Sequence, residues 1–309
     1  MQDLKPAGLS IVIPIFNEEE GIKKLFEALN SLAPKLPSDT EVILVDDGSS
    51  DNSVKLLISE SLIYKKTIIS FSRNFGHQSA LLAGLKQANG DYVVTMDGDL
   101  QHPPTLIPTF LDLHSQGHDI VLTKRQDADI IRSKYVFSAL FYSLINKISA
   151  TSIPVNSSDF RSMSKRAVNA LLALPENRKF LRGLVGWIGY PTAVIEYQPD
   201  IRIAGESKYT WIKMLRLAIT GITSFSAAPM YLAGAVSVLF FSSAFAYAIY
   251  VLIIKFIYQT AVSGWASVLF VLLIVSGFLS LFLGLIGVYL SAIYEEVKNR
   301  PNYIIKELL

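Results

Sequence analysis

The chain has 309 residues, a net charge of +2 and no cysteine; 51% of it is hydrophobic, with a mean hydropathy of +0.38. That length allows one good-sized domain plus an appendage. The lack of cysteine excludes disulfides and thiolate metal sites and fits a reducing compartment. A nearly balanced charge gives no reason to expect a nucleic-acid partner.

Residues 9–15 are an apolar, β-rich run and predict a strand. Residues 18–33 have helical spacing, with Ile22, Leu25, Phe26, Leu29 and Leu32 on one face. A second strand over 41–45 runs into Asp46-Asp47-Gly48-Ser49. A helix over 53–61, a third strand over 66–71 and a helix over 77–89 follow, the last ended by Asn89-Gly90. The fourth strand, 91–96, delivers Asp97-Gly98-Asp99-Leu100-Gln101. A helix over 102–116 and a fifth strand over 119–123 complete the alternation. This βαβαβαβ order predicts an α/β domain with a parallel, doubly wound sheet and ligands at the carboxyl ends of its strands.

Beyond residue 124 the pattern is harder to read. Residues 133–148 are amphipathic, which fits either core packing or a membrane-facing helix. From Arg161 to Arg216 there are ten Lys/Arg against four Asp/Glu, a basic collar suited to lipid headgroups and phosphorylated ligands. Residues 211–225 mix Lys213 and Arg216 with Trp211, Leu215 and Phe225, as an interfacial helix would. Two stretches without charge then each exceed the ~20 apolar residues that cross a bilayer core. They predict transmembrane helices over about 230–257 and 265–293. The connecting loop has no Lys or Arg, whereas the tail carries Lys298, Arg300 and Lys306. With no signal peptide at the start, both termini and the soluble part are expected in the cytoplasm, on a multi-pass protein of the cytoplasmic membrane. Gly277, Gly284 and Gly287 in the second span would allow close helix contact and a homo-oligomer.

The polar clusters fall at strand ends: Pro14-Ile15-Phe16-Asn17-Glu18, Asp46-Asp47-Gly48-Ser49, Ser72-Arg73-Asn74 and Asp97-Gly98-Asp99. Asp-Gly alone is a turn dipeptide. Two carboxylates spaced i, i+2 directly after a strand can also fold around one hard cation such as Mg²⁺ or Mn²⁺. Acidic groups near a nucleotide suit base and ribose donors, while a diphosphate needs a divalent ion. No Walker lysine loop and no G-x-G-x-x-G follows a strand, which argues against ATPases and dinucleotide enzymes. His77 and His102 lie near the motifs and read as local hydrogen-bonding residues.

The motifs IVIPIFNEEEGI, ILVDDGSSDNS, SFSRNFGHQSALLAG, DYVVTMDGDLQHPP and IAGESKYTW resemble those of family 2 glycosyltransferases that act on polyprenyl phosphates. This group includes dolichyl-phosphate mannose synthases and bacterial undecaprenyl-phosphate glucosyl- and aminoarabinosyltransferases. The resemblance spans nearly the whole chain, through GLIGVYLSAIYEEVKNRPNYII. It implies a GT-A domain over 1–208, an interfacial region over 209–229, the two spans within 230–293 and a cytoplasmic tail over 294–309.

It further implies an inverting, metal-dependent transfer from a nucleotide sugar to a polyprenyl phosphate, with UDP-glucose the first choice of donor. By motif, Pro14, Phe16, Glu18, Val45 and Asp47 line base and ribose. Asp97, Gly98, Asp99 and Gln101 hold Mg²⁺ or Mn²⁺ and the diphosphate. Arg125, Arg202 and Lys208 contact phosphates or acceptor. Asp159 matches the position proposed for a catalytic base; orienting the acceptor or holding Arg161 are the other roles open to it. A processive polysaccharide synthase would need a Gln-x-x-Arg-Trp motif and more membrane helices, and neither is present. A degenerate membrane scaffold would have no need of Asp97, Asp99, Arg125 and Lys208 together.

Overall fold

The computed structural model describes residues 8–125, 157–176, 179–197, 228–257 and 264–309. Arg202, Lys208 and the amphipathic stretches 133–148 and 211–225 lie outside these. The described residues fall into two units: a sheet-containing unit that includes Arg300–Leu309, and a unit of two long helices.

In the first unit the order is β1 (Leu9–Ile15), α1 (Ile22–Ser31), β2 (Glu41–Asp46), α2 (Ser53–Ser59), β3 (Lys65–Phe71), α3 (His77–Gln87) and β4 (Tyr92–Thr95). Then come α4 (Ile107–Ser115), β5 (Ile120–Arg125), β6 (Ser157–Ser164), α5 (Lys165–Ala173), α6 (Leu181–Trp187) and β7 (Thr192–Tyr197). The strands form one sheet in the order β7-β5-β6-β4-β1-β2-β3-β8, where β8 is Ile305–Leu308. β1 to β4 pair in parallel, while β6 and β8 run antiparallel to their neighbours. The fold is a GT-A-like α/β domain with a mostly parallel sheet.

β1 and β2 are buried along their whole length, because helices cover both faces of a parallel sheet. α1 presses Ile22, Leu25, Phe26 and Leu29 onto it, each burial contributing about 1.5–3 kcal/mol before entropy. The chain moves outward from β1 to β2 and β3, then returns to place β4 on the other side of β1. That reversal opens a crevice at the carboxyl ends of β1 and β4.

Two predicted helices start late, for local reasons. The helix expected from residue 18 begins at Ile22, because Glu18–Gly21 form a turn closed by Gly21 N–H donating to the Glu18 carbonyl at 2.9 Å. The helix expected from 102 begins at Ile107, after a 3₁₀ turn at Pro104–Leu106. Pro108 is tolerated in its first turn, where no amide partner is needed. Within the tail expected over 294–309, Arg300–Leu309 belong to the sheet-containing unit, and Ile305–Leu308 pair with β3 as β8. No local apolar pattern announces this, since all four β8 residues are exposed.

The second unit comprises α7 (Ala228–Phe256) and α8 (Trp265–Lys298), touching through Phe240 and Phe278 at 4.3 Å. Among the described residues one stretch, Ile274–Lys298, is long and apolar enough to cross a membrane; Val238–Tyr247 in α7 is apolar but shorter.

Candidate active site

The antiparallel insertion of β6 beside β4 builds the centre of the site. Thr95 lies opposite Arg161, so continuing the register by two residues sets Asp97 across from Asp159. Thr95 Oγ1 donates to the Asp159 carbonyl and ties the strands at that level. Two carboxylates far apart in sequence thus face one another at the crevice.

Asp159 is 3% exposed and surrounded by cations. Arg161, itself 3% exposed, donates to Oδ1. Arg182 on α6 donates from Nε to both oxygens at 3.1 Å and from its terminal nitrogen to Oδ2 at 2.6 Å. Burial pushes the Asp159 carboxyl up, but a hydrogen bond from His77 and the charges of Arg161 and Arg182 outweigh it. The carboxyl is held well below the usual carboxylate range.

Asp97 has the opposite balance. Burial raises its pKa, Asp159 and Asp99 add to that, and His102 and His77 oppose it. His77 Nε2 bridges the two carboxylates, 3.4 Å from Asp97 Oδ1 and 3.5 Å from Asp159 Oδ2. Burial pushes His77 down, but its bond to Asp159 and the Asp97 charge carry it above its ordinary value. His102 Nδ1 accepts from the Asp97 amide at 3.1 Å, which leaves the proton on Nε2 to be donated to Ser158 Oγ at 2.8 Å. Stacking on Phe160 fixes the ring. Both histidines are local hydrogen-bonding residues, as the sequence suggested, yet they also connect Asp97 to β6.

The loop after β4 is tightly shaped. A Cβ at Gly98 would lie 2.7 Å from Ile15 Cδ1, so glycine lets the loop lie against the end of β1 without displacing that side-chain tip. Leu100 adopts a left-handed conformation at φ 58°, and Asp99 Oδ1 accepts from the Gln101 amide at 3.1 Å. Glu18, Gly98 and Asp99 line one small cleft with Gly21 and Lys24. A larger hollow of about 660 Å³, lined by Gly8, Thr40, Lys65 and Asp91, sits at the opposite ends of the strands and holds none of these groups.

Do these residues suit a divalent cation? Asp97 Oδ1 is buried and accepts no hydrogen bond, with only the longer 3.4 Å approach of His77 Nε2, so it retains capacity to bind a cation. Among the described residues no group of three or more His, Cys, Asp and Glu forms a complete cage. Mg²⁺ needs none, since it is held by one or two carboxylates plus water and substrate phosphates. The donor set therefore fits.

On the other side of β1, Pro14 pairs with Val45 inside the sheet, both buried, while Phe16 is 46% exposed at the rim. Asp47 is buried; Oδ1 accepts from the Phe75 and Gly76 amides at 2.7 and 3.1 Å, and Oδ2 from Gly76 at 2.9 Å. Burial raises its pKa against those bonds. Asp46 accepts from Ser70 Oγ and the Ser49 amide, fastening β2 to β3. Arg125 ends β5 opposite Tyr197.

The structure thus brings Asp97, Gly98, Asp99, Gln101 and Asp159 together and places Glu18 beside them. Pro14, Phe16, Val45 and Asp47 lie along the β1 and β2 ends. Arg182 was singled out by no motif. Arg161 had a faint signal, because residues two apart on a strand share a face and Asp159 and Arg161 are such a pair.

The site thus belongs to an α/β domain with a mostly parallel sheet and carboxylates gathered at its switch point. Residues 10–172 match the family described as Glycosyl transferase family 2. The chain is 38% identical over 302 residues to the uncharacterized glycosyltransferase YkcC of Bacillus subtilis, covering 96% of this chain and 93% of that protein. It is 38% identical over 304 residues to the SfII prophage-derived bactoprenol glucosyl transferase of Shigella flexneri, covering 97% of each. Identity to the prophage bactoprenol glucosyl transferase homolog of Escherichia coli is 36% over 305 residues, 97% of this chain and 99% of that one. The chain belongs to glycosyltransferase family 2 and is a glycosyltransferase.

Proposed function

We propose that the protein transfers a sugar, glucose from UDP-glucose before any other, to a polyprenyl phosphate at the cytoplasmic face of a membrane. The observation that carries this reading is the Asp97–Asp159 constellation: a buried carboxylate oxygen that accepts no hydrogen bond, 3.4 Å from His77, beside a carboxylate that gathers two guanidiniums. Glucose and the polyprenyl acceptor draw support from relatives described as bactoprenol glucosyl transferases.

In this reading Asp97, Asp99 and Gln101 hold Mg²⁺ or Mn²⁺ with the donor diphosphate. Pro14, Phe16, Glu18, Val45 and Asp47 shape the nucleoside end, and Arg125, Arg202 and Lys208 take phosphates or acceptor. When bound, the cation supplies Lewis-acid stabilisation of charge on the departing diphosphate. A lipid phosphate oxygen forms the new bond to the anomeric carbon on the face opposite the diphosphate. The old C–O bond breaks with its electron pair passing to the diphosphate, so configuration inverts.

The nucleophile needs little deprotonation, because a phosphate monoester loses its second proton near pH ~6. Asp159, held at low pKa against burial by a hydrogen bond from His77 and by two arginines, is poorly suited to act as a base. Its stronger role is to anchor Arg182, whose side chain is 30% exposed and positioned to meet an anionic substrate.

The two-span topology also belongs to this reading. β8 belongs to the same sheet as β1, so a chain that leaves the sheet unit and crosses a bilayer must cross it an even number of times to return. One crossing by α8 alone would not satisfy that, which supports α7 as the partner span. The glycines of α8 leave space for close helix contact in a homo-oligomer, since among the described residues nothing beyond the helix's own backbone lies within 4 Å of where their Cβ atoms would be.

The test is incubation of the membrane-embedded protein with a panel of nucleotide sugars, Mg²⁺ or Mn²⁺ and polyprenyl phosphate, followed by identification of the lipid product. A glucosylated lipid phosphate from UDP-glucose is expected. No glycolipid from any donor would overturn the reading.

A further inference from the structure

β8 contributes little core of its own, since Ile305 and Leu308 are 47% and 57% exposed. It is nevertheless firmly paired with β3. Ile68 and Leu309 exchange backbone hydrogen bonds at 2.8 Å, and the Ser72 amide donates to the Ile304 carbonyl at 3.0 Å. This last bond lies just past the end of β3, where the chain enters the loop that binds Asp47.

A row of rings and cations runs from the tail into that loop. Lys86 on α3 stands 5.5 Å over the Tyr303 ring. Tyr303 stacks on Phe71 with centroids 4.9 Å apart and planes 9° apart. Phe71, 2% exposed, meets the edge of Phe75 at 5.8 Å and 89°. The Arg73 guanidinium lies 4.0 Å over the other partner in the row, Phe75. The amides of Phe75 and Gly76 are those that hold the Asp47 carboxylate. Ring pairs of this geometry favour one relative orientation. A tail residue more than two hundred positions away thus reaches Phe75, and the amides facing Asp47, through Phe71.

We propose that Tyr303 is a positioning residue for the nucleotide end of the site, acting through Phe71 and Phe75 on the loop that holds Asp47. The inference rests on the reading above that Asp47 and its loop serve the nucleotide. The stack lies on the β3 side of the sheet and ends at the loop that holds Asp47, so its loss should weaken nucleotide binding.

The test is calorimetric titration of the full-length protein in detergent with UDP and with GDP, each with Mg²⁺, together with thermal melting. Tyr303→Ala is expected to weaken the better nucleotide about fivefold, equivalent to about 1 kcal/mol. Tyr303→Phe keeps the ring and should bind within about twofold of the parent. The exposed Lys306→Ala change on β8 should bind as the parent does. Unchanged affinity in Tyr303→Ala, or equal losses in Tyr303→Ala and Tyr303→Phe, would overturn the proposal. If Tyr303→Ala fails to fold, Tyr303→Leu, which keeps apolar volume without a ring, is read by the same criteria. Asp47→Ala separates the two levels. Weaker binding there with unchanged Tyr303→Ala defeats only the positioning role. Unchanged binding in Asp47→Ala, or a parent that binds neither nucleotide, defeats the reading beneath it.

Discussion

Replacing Asp159 by Asn distinguishes an anchor from a base. Arg161 would keep its charge at 3% exposure with its carboxylate partner gone. Removing one member of such a buried pair costs about 3–5 kcal/mol. The Asn carbonyl still accepts one hydrogen bond, which favours the lower end, near ~3 kcal/mol. The Arg182 pair is 30% exposed and adds less than about 1 kcal/mol. At roughly 2–4 °C per kcal/mol for a domain of this size, a total of about 3–4 kcal/mol should lower Tm by about 6–16 °C.

Freed from its anchor, Arg182 would lose its placement, and an error of about 1 Å in a positioning group can cost ~10²-fold in rate. The assay is kcat against pH between about 5 and 9, alongside melting of the same preparation. An anchor predicts a lower rate with the shape of the profile unchanged, because Asp159 titrates far below that window. Loss of the acidic limb, with Tm unchanged, would refute the argument. The double change Asp159→Leu with Arg161→Met offers a companion check, since exchanging a whole buried pair for apolar groups is often near neutral. It should recover stability without recovering rate.

Asp99→Ala should abolish transfer and the response to Mg²⁺ or Mn²⁺ while the protein still folds in membranes; retained turnover with normal metal dependence would sink the metal assignment. Gly48→Ala combines a left-handed φ of 71° with a Cβ 2.4 Å from the Arg73 carbonyl carbon. It should cost about 1–3 kcal/mol by melting and weaken nucleotide binding, and an unaltered Tm would contradict the close approach. Asp119 accepts hydrogen bonds from Arg166 and from Ser164 Oγ, the arginine foremost, and its pKa is lowered. Its folded value lies below the unfolded ~3.9, so the stabilisation is complete above that pH and is lost as pH falls through the folded value. Asp119→Asn should therefore lower Tm at pH 7 and converge with the parent on the acid side. A constant gap down to about pH 3 would show that the pair is not linked to protonation.

Much of the site was legible because its motifs are local. An apolar run that ends in Asp97-Gly98-Asp99 declares a strand and its terminus together, and the four parallel strands fell close to their predicted bounds. Alternation of strands and helices was enough to expect acidic residues at the sheet's carboxyl edge, because a parallel crossover returns every strand in the same direction.

Long-range pairing was not legible, since nothing in a strand's own sequence names its neighbour. That β6 enters antiparallel beside β4, so that Asp159 meets Asp97, follows from register and not from spacing. Arg182 read as one charge in a basic collar and proved to be a ligand of Asp159 only once α6 was in place. The return of the tail to the sheet carries no apolar signature, because the β8 residues are exposed. Its pairing depends on backbone groups that every residue carries, and such groups leave no mark on composition. By itself the sequence determined the strand ends and the acidic chemistry they present. Tertiary structure decided which carboxylate faces which cation, because distance between groups remote in the chain is set only when the sheet closes.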